Sequence, residues 1–364
     1  MRIAYFISAH GFGHAARACG VIDALWRQAP ETEFELLTTA PDWFFEQSLD
    51  RAVTAHPVAT DLGLIQASSL EEDLDETIHQ LRSWVPFGNE RLDPLARLVT
   101  TMGCDLVLCD IAPIGLAVAA RCGLPSVLIE NFTWDWIYRG YLAQKPELAE
   151  IADELEKAFH SARLRIQTEP LCQPIRGATR VGPISRPPRL DRATVRRRLG
   201  IPEEASLVMV TMGGIEWDYA GIEERLAKTP ARSGRERWLV VPGASRTIEH
   251  HHRAVLLPHR SDFYHPDLVL AADAVIGKLG YSTVAEVHRA GVPFGYVPRP
   301  TFPESPRLEA WVRRHLPHHR IDPRAFAAWQ WLDEIEPLLE QPRQNTGEAE
   351  GGEAAAAQIL ERLG

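Results

Sequence analysis

The sequence contains little lysine, no paired cysteine motif and no long apolar run. Four of its 39 basic residues are lysines, and 49 acidic residues give a formal net charge of −10. This deficit of positive charge argues against a general nucleic-acid binder, which needs clustered cations against phosphates. The five cysteines form no C-x-x-C pair and lie mostly in apolar runs, which predicts reduced, buried thiols.

No apolar stretch reaches the roughly 20 residues that a membrane-spanning helix needs. The chain passes directly into the strand-like segment 2–8, without a basic region or a cleavage site of the kind found in signal peptides. We therefore expect a cytoplasmic protein with no integral membrane segment. Peripheral association with a membrane surface is left open.

The length of 364 residues, 45% of them hydrophobic, fits two α/β domains better than one. Apolar strand-like runs alternate with helical patterns in both halves, which predicts parallel sheets covered on both faces. The predicted domains are 1–181 and 191–343, joined by a Pro-rich linker at 182–190 and followed by a tail and helix at 344–364. Strands are predicted at 2–8, 34–39, 106–110, 126–130 and 164–167, and then at 207–212, 237–241, 254–257, 274–276 and 293–297.

A glycine- and histidine-containing turn follows the first predicted strand and opens the first helix. Its glycines formally match the dinucleotide fingerprint G-x-G-x-x-A, but the second strand ends at Thr39 without the acidic residue that would hold an adenosine ribose. The turn carries His10 and His14, and an imidazole at a helix N-terminus stays unprotonated and available as a base. Asp110 ends a buried strand at the same edge, where it would orient a histidine, bind an acceptor or cap the structure.

A second glycine-containing turn, residues 277–283, joins a strand to a helix in the second half. Backbone amides at such a helix start bind diphosphates, and the rare lysine Lys278 lies in the turn. Glu286, one turn further on, suits ribose hydroxyls, and the aromatic pair Phe263 and Tyr264 suits a nucleobase. A capped structural helix and core aromatics are the alternative interpretations.

An acidic segment of the first half contains a D-x-D pair, Asp73 and Asp75. Such a pair can hold a metal ion in some transferases, but the flanking residues are typical of the solvated face of a helix. We therefore expect no metal ion and no cofactor.

Three motifs resemble the glycosyltransferase-like N-terminal region of plant L-arabinokinases: His10-Gly-Phe-Gly-His-Ala-Ala-Arg17, Asn131-Phe-Thr-Trp-Asp-Trp-Ile-Tyr138 and Gly277-Lys-Leu-Gly-Tyr-Ser-Thr-Val-Ala-Glu286. The likeness extends over nearly the whole chain. No glycine- and serine-rich ATP loop follows residue 340, so kinase activity is not carried over.

More distantly, the chain resembles the peptidoglycan N-acetylglucosaminyltransferases and the wider UDP-glycosyltransferases. That resemblance implies an α/β protein of GT-B type, with two Rossmann-like, doubly wound parallel-sheet domains facing a central cleft. It implies that His14 is the base, that residues 277–283 bind the diphosphate, and that Glu286 and Glu304 bind the ribose and the donor sugar. The sequence departs from the family at Gly277-Lys-Leu-Gly280 and lacks an Asp-Gln pair near Glu304.

The predicted function is metal-independent transfer of a sugar from a nucleoside diphosphate, expected to be UDP, to a hydroxyl acceptor, with inversion. The expected partners are a nucleotide sugar and a small-molecule, glycan or lipid-linked acceptor. The alternatives are a nucleotide-sugar 2-epimerase or hydrolase and a catalytically silent nucleotide-sugar sensor. Oligomeric state, donor sugar and acceptor stay open.

The predicted site residues fall into three groups. Catalysis is assigned to His14 and Asp110. Donor binding is assigned to Gly213, Gly214, Phe263, Tyr264, Lys278, Gly280, Ser282, Thr283, Glu286 and Glu304. Acceptor binding is assigned to His10, Gly11, Phe12, Gly13, Arg17, Trp134 and Asp135.

Overall fold

The chain forms two compact units in a computed structural model that describes residues 1–67, 71–213, 224–226, 235–344 and 351–363. The first unit contains Met1–Ser185, Thr301–Arg307 and the C-terminal helix. The second contains the described residues of 186–300 and 308–344. The chain passes from the first unit to the second between Ser185 and Arg186, inside the segment 182–190 that the sequence marks as a linker.

The first unit is built on a seven-stranded parallel sheet in the order β3-β2-β1-β4-β5-β6-β7. Alternate residues of β1 pack into two hydrophobic cores, one on each face, which is why this strand reads as a continuous apolar run. The strand order reverses between β1 and β4, the position at which open α/β sheets bind ligands outside their carboxyl ends. The strands are β1 Arg2–Ile7, β2 Glu33–Thr38, β3 Thr54–Pro57, β4 Leu106–Asp110, β5 Ser126–Glu130, β6 Leu164–Thr168 and β7 Thr179–Val181.

Helices connect the strands and cover both faces of this sheet. The 17-residue helix Phe12–Gln28 connects β1 to β2, and its first turn lies at the sheet's carboxyl edge. The helices of the first half are α1 Phe12–Gln28, α2 Asp42–Ser48, α3 Leu74–Trp84, α4 Asn89–Thr101, α5 Pro113–Cys122, α6 Trp134–Arg139 and α7 Leu148–His160.

The second unit has a seven-stranded sheet in the order β10-β11-β9-β8-β12-β13-β14, parallel except for the pair β10 and β11. Its order reverses between β8 and β12, where Thr211 pairs with Gly277. The strands are β8 Ser206–Thr211, β9 Arg237–Pro242, β10 Glu249–His250, β11 Ala254–Leu257, β12 Ala274–Lys278, β13 Phe294–Val297 and β14 His318–Arg320. The remaining helices are α8 Arg192–Leu199, α9 His265–Ala271, α10 Tyr281–Ala290, α11 Ser305–His315, α12 Pro323–Ala327, α13 Glu336–Leu339 and α14 Gly351–Leu363.

The ten strands predicted from apolar runs are confirmed to within two residues at each end. The prediction missed β3, β7, β10 and β14, which are two to four residues long. All four are edge strands, β3 and β7 in the first sheet and β10 and β14 in the second, so each has a neighbour on one side only and needs no continuous apolar run. The predicted burial of reduced cysteines is also confirmed, since all five are free and four are buried.

The C-terminal helix α14 packs on α1 of the first unit through small residues. A Cβ on Gly352 would lie 3.1 Å from the backbone oxygen of Gly20, so the two helices approach too closely for larger side chains. Ala355, Ala356 and Ile359 are fully buried in this contact. Among the described residues, no helix is long and apolar enough to cross a membrane.

We expect Ala356→Leu to lower the free energy of unfolding by about 1–3 kcal/mol, because extra methylenes overpack a closed helix contact. Ala357 is the matched control, since it is the next residue of the same helix and is exposed. Ala357→Leu should change stability by less than about 0.5 kcal/mol. Urea unfolding of the two variants measures the difference, and equal effects would contradict the close packing of α14 on α1.

Candidate functional site

The carboxyl ends of β1 and β4 place a histidine and an aspartate side by side in the first unit. Gly11 has φ 78°, a left-handed conformation that favours glycine, and this turn lets α1 begin directly over the sheet edge. His14 lies in the first turn of α1 and is 8% exposed. Its Nδ1 lies 2.8 Å from Oδ1 of Asp110, the last residue of β4. The two predicted catalytic side chains are therefore in contact.

Arg17, one turn further along α1, binds both oxygens of the same carboxylate. Its Nε donates to Asp110 Oδ2 at 2.7 Å and its Nη2 to Oδ1 at 2.6 Å. Burial acts to raise the pKa of Asp110, but the charge and hydrogen bonds of Arg17, with the hydrogen bond of His14, outweigh it and hold that pKa below its usual range. Arg17 is 1% exposed, so its predicted contact with an acceptor would have to be indirect.

Asn131, which the site prediction did not include, links Arg17 to Glu304. Arg17 Nη1 donates to Asn131 Oδ1 at 2.7 Å, and Asn131 Nδ2 donates to Glu304 Oε1 at 2.7 Å. The sequence assigned Glu304 to the second domain as a donor-sugar contact, whereas the structure places its segment, Thr301–Arg307, in the first unit. Asn131 and Glu304 are both buried.

The aromatic residues predicted to contact an acceptor lie mainly in the core of the first unit. Trp134 is 1% exposed and packs with its ring centroid 5.1 Å from that of His10, edge to face. Phe12 stacks on Phe44 at 5.0 Å. Asp135 is buried in the first turn of α6. Of these residues, His10 and Phe12 are partly buried, and their contact with an acceptor stays a prediction.

Asp61 is a carboxyl group of this edge that sequence reasoning missed. It follows β3 in an irregular segment with no motif, and the indole Nε1 of Trp134 donates to its Oδ2 at 2.9 Å. Burial raises the pKa of Asp61, against the hydrogen bonds from Trp134 and Ser8 and the charge of His14. Chain folding alone brings it here, so no local sequence signal identifies it.

In the second unit, the turns that follow β8 and β12 lie next to each other. Gly213 has φ 73°, and a Cβ at this residue would lie 3.8 Å from Lys278 Nζ. The neighbouring position 277 requires glycine for a structural reason, since a Cβ there would lie 2.3 Å from the backbone oxygen of Thr211 on β8. Gly214, also predicted to bind the donor, lies outside the described residues.

The helix α10 begins at this edge without a side-chain cap. Its N-cap residue is Gly280, whose surroundings leave open space where a Cβ would stand. Ser282 and Thr283 lie in the first turn of this helix, and their predicted contact with a phosphate stays a prediction. The first backbone amides of a helix attract anions when no side chain satisfies them.

Glu286, predicted to bind ribose, is held by two residues that the sequence analysis did not name. Arg186 Nη2 donates to Oε1 at 2.8 Å, and His265 Nδ1 lies 2.7 Å from Oε2. Burial acts to raise the pKa of Glu286, but the charges and hydrogen bonds of Arg186 and His265 lower it to about 2. A carboxylate oxygen can accept more than one hydrogen bond, so these two partners do not prevent Glu286 from binding ribose as well. The ribose contact stays a prediction.

The aromatic pair before α9 is surrounded by guanidinium groups. Arg186 and Arg189 lie 5.2 and 4.4 Å from the ring centroid of Tyr264, and Arg198 lies 4.9 Å from that of Phe263. Tyr264 is buried and Phe263 is partly exposed. Cation–π contacts account for both rings, and nucleobase stacking stays a prediction.

The D-x-D pair has structural partners in the first unit. Asp73 Oδ1 accepts from the backbone N–H of Glu76 at 3.0 Å as the N-cap of α3, and Asp75 pairs with Lys145. In the described part of the chain, no group of three or more His, Cys, Asp or Glu side chains is arranged to hold a metal ion.

The low pKa of Glu286 predicts how its contribution to stability changes with pH. Because the folded pKa of about 2 lies below the ordinary 4.5, this contribution is present above pH 4.5 and disappears as the pH falls toward 2. Glu286→Gln leaves the charge of Arg186 uncompensated, so it should be less stable than the native protein at pH 7, and the difference should shrink below pH 4.5. Thermal unfolding of both proteins at several pH values measures it. A difference independent of pH would contradict an ionised, buried Glu286.

Comparison with known proteins gives one curated relative and many similar structures. No family model matches the chain. The chain is 29% identical, over 97% of its length, to an L-arabinokinase of Arabidopsis thaliana and covers 33% of that protein. It therefore spans about a third of the length of this curated relative.

Several of the similar structures are described as glycosyltransferases. UGT89C1 of Arabidopsis thaliana, complexed with UDP, is 14% identical with TM-score 0.63, covering 100% of this chain and 99% of that one. The glycosyltransferase SnogD of Streptomyces nogalater is 17% identical with TM-score 0.61, covering 100% and 99%. MurG of Acinetobacter baumannii is 14% identical with TM-score 0.56, covering 99% of each chain. With its two parallel-sheet α/β units, the chain therefore has the GT-B fold of these glycosyltransferases.

Proposed function

We propose that this chain is a glycosyltransferase that moves a sugar from a nucleoside diphosphate, UDP in the first instance, to a hydroxyl group of an acceptor. The transfer is metal-independent and inverts the anomeric centre. His14 is the base, Asp110 orients it, and the second unit holds the nucleotide. The acceptor is a small molecule, a glycan or a lipid-linked sugar.

The contact between His14 Nδ1 and Asp110 Oδ1 is the observation that carries this proposal. A carboxylate that accepts a hydrogen bond from Nδ1 leaves Nε2 as the nitrogen that takes a proton. The pair lies at the reversal of strand order in the first sheet, which is where open α/β sheets bind their ligands. Such a pair suits deprotonation of a hydroxyl group.

The second unit supplies features that suit a diphosphate. The uncapped N-terminus of α10, the turn at Gly213 and the ammonium group of Lys278 lie at the reversal of strand order in the second sheet. Backbone amides and one lysine together compensate negative charge without a metal ion. The solved complex of UGT89C1 with UDP, on the same fold, supports UDP as the first nucleotide to test.

The reaction follows from these groups as a single displacement. His14 Nε2 removes the proton of the acceptor hydroxyl, and the acceptor oxygen forms a bond to the anomeric carbon from the side opposite the nucleotide. The bond from that carbon to the diphosphate oxygen breaks, and its electrons leave with UDP. Lys278 and the amides of α10 stabilise the charge that develops on this leaving group, which preorganised donors do at little reorganisation cost.

Ligand-dependent thermal stability tests the nucleotide class. We expect UDP, or another single member of a panel of UDP, dTDP, GDP, ADP and their sugars, to raise the unfolding temperature selectively. A ligand at 100 times its Kd stabilises the folded state by about 2.7 kcal/mol. NAD and NADP are the controls, because of the match to G-x-G-x-x-A in residues 11–16. Stabilisation by NAD alone, or by none of the panel, would contradict the proposal.

The base assignment has its own test. His14→Ala should lower transfer at least 100-fold, the lower end of what general base catalysis contributes, while the nucleotide still stabilises the variant. His79→Ala is the matched control, because His79 is an exposed histidine of α3 in the same unit. Transfer is measured as release of the nucleoside diphosphate with the acceptor present. Full activity of His14→Ala would refute the base assignment.

A nucleotide-sugar hydrolase or 2-epimerase is the second candidate, and Asp61 is the observation that favours it. Those reactions break the same anomeric bond and use additional carboxyl groups near the sugar. Asp61 adds one at the edge that carries His14, with which it interacts electrostatically. Analysis of the sugar product in the absence of any acceptor separates this candidate from a transferase.

A further inference from the structure

Five buried side chains of the first unit form one continuous line of contacts. The line runs from His14 through Asp110, Arg17 and Asn131 to Glu304, with separations of 2.8, 2.6, 2.7 and 2.7 Å. All five are at most 8% exposed. Its two ends are the predicted base and the predicted sugar-binding carboxylate, and its centre is the guanidinium group of Arg17.

A guanidinium group can only donate hydrogen bonds, and this restricts every neighbouring contact. Arg17 donates to both oxygens of Asp110, which keeps that carboxylate ionised and able only to accept. Arg17 Nη2 also lies 3.3 Å from His14 Nδ1, but its contact with Asp110 Oδ1 is much shorter, at 2.6 Å. Asp110 Oδ1 and His14 Nδ1 are 2.8 Å apart, and an ionised oxygen would repel an unprotonated ring nitrogen at that distance, so the hydrogen between them belongs to the imidazole. This fixes the tautomer in which Nδ1 carries the proton and Nε2 has the lone pair.

Without Arg17, the same contact allows the opposite arrangement. A buried carboxyl group with no cation beside it takes up a proton. A protonated Asp110 donates to His14 Nδ1, and the imidazole then carries its own hydrogen on Nε2. That tautomer cannot remove a proton from an acceptor through Nε2.

The same restriction applies on the other side of Arg17. Nη1 donates to Asn131, so the amide oxygen of Asn131 faces the guanidinium group and its NH₂ group faces Glu304. The amide therefore donates to Glu304 Oε1. A reversed amide would direct its oxygen at a carboxylate and repel it.

We propose that Arg17 is a positioning residue whose guanidinium group sets the direction of the hydrogen bonds in this network, and thereby fixes the Nδ1–H tautomer of His14 and the orientation of Asn131 toward Glu304. The catalytic consequence rests on the proposed function. The tautomer does not, because it is a property of the protein without substrate.

Nuclear magnetic resonance of protein labelled with ¹⁵N-histidine tests the tautomer directly. Long-range ¹H–¹⁵N spectra distinguish protonated from unprotonated ring nitrogens, and the loss of one set of signals in His14→Gln assigns His14. At pH 8 and without ligand, we expect native His14 to carry its proton on Nδ1. A proton on Nε2 in the native protein would overturn the proposal, and this measurement requires no Arg17 variant to fold.

The Arg17 variants test the cause. In Arg17→Met and Arg17→Gln, His14 should change to the Nε2–H tautomer or to a mixture of the two, whereas Arg17→Lys, which keeps the charge, should retain Nδ1–H. Arg27→Met is the matched control, because Arg27 lies on the same helix in an exposed pair with Asp23 and should leave the spectrum unchanged. An unchanged His14 spectrum in a folded Arg17→Met or Arg17→Gln protein would overturn the proposal.

Turnover adds a readout that a purely structural role would not give. We expect Arg17→Met to lower kcat roughly 10- to 100-fold, the range typical of a lost partner of a functional imidazole, with KM for the nucleotide sugar changed less than about twofold. Arg17→Lys should recover most of the loss. Equal losses in both variants, or a loss confined to KM, would contradict the positioning role. If the native protein transfers no sugar, the tautomer measurement still decides this proposal, and the ligand panel decides the other.

Discussion

The ion pair of Arg17 and Asp110 is the interaction on which the first unit's site depends. A lone carboxylate at the buried end of β4 would take up a proton, and Arg17 prevents this by donating to both of its oxygens. The cost of burying both charges is offset because each also hydrogen-bonds to a neighbour, Asp110 to His14 and Arg17 to Asn131. The result is a set of hydrogen bonds with defined directions at the carboxyl end of β4.

The second unit keeps a buried carboxylate ionised with the same residue types. Glu286 lies buried between Arg186 and His265, as Asp110 lies between Arg17 and His14. In each unit, the carboxylate stands near the reversal of strand order, where parallel strands direct their carboxyl ends at a shared edge. An arginine in each case lowers the pKa of the carboxyl group. His265 contacts the oxygen of Glu286 that Arg186 leaves, whereas His14 shares Oδ1 of Asp110 with Arg17. The two arrangements differ in origin, since the arginine comes from the helix start in the first unit and from the segment before α8 in the second.

Local sequence signals identified the residues whose role depends on nearby backbone. Gly11 needs its left-handed conformation, and the turn from Lys278 to Gly280 joins β12 to α10 as its glycine and apolar pattern predict. Residues whose role depends on distant chain segments were missed or placed differently. Asp61, Arg186 and His265 carry no motif that marks them, and Asn131 opens a motif that assigned it no role. Trp134 is mostly enclosed although its motif suggested a contact surface. Burial and charge pairing are properties of the assembled core, so periodicity along the chain does not report them.

The sequence by itself determined the α/β architecture, the ten central strands and the two glycine turns, because apolar runs and turn residues act over a few neighbouring positions. Only the tertiary structure decided which carboxylates are paired, since the arginine partners of Asp110 and Glu286 lie 93 and 100 residues away in the chain. It also decided that Glu304 belongs with Asn131 in the first unit although it lies between β13 and β14 of the second in the chain. Charge pairs of this kind exist only after the sheets have formed, because the sheet edge brings the ends of distant strands together.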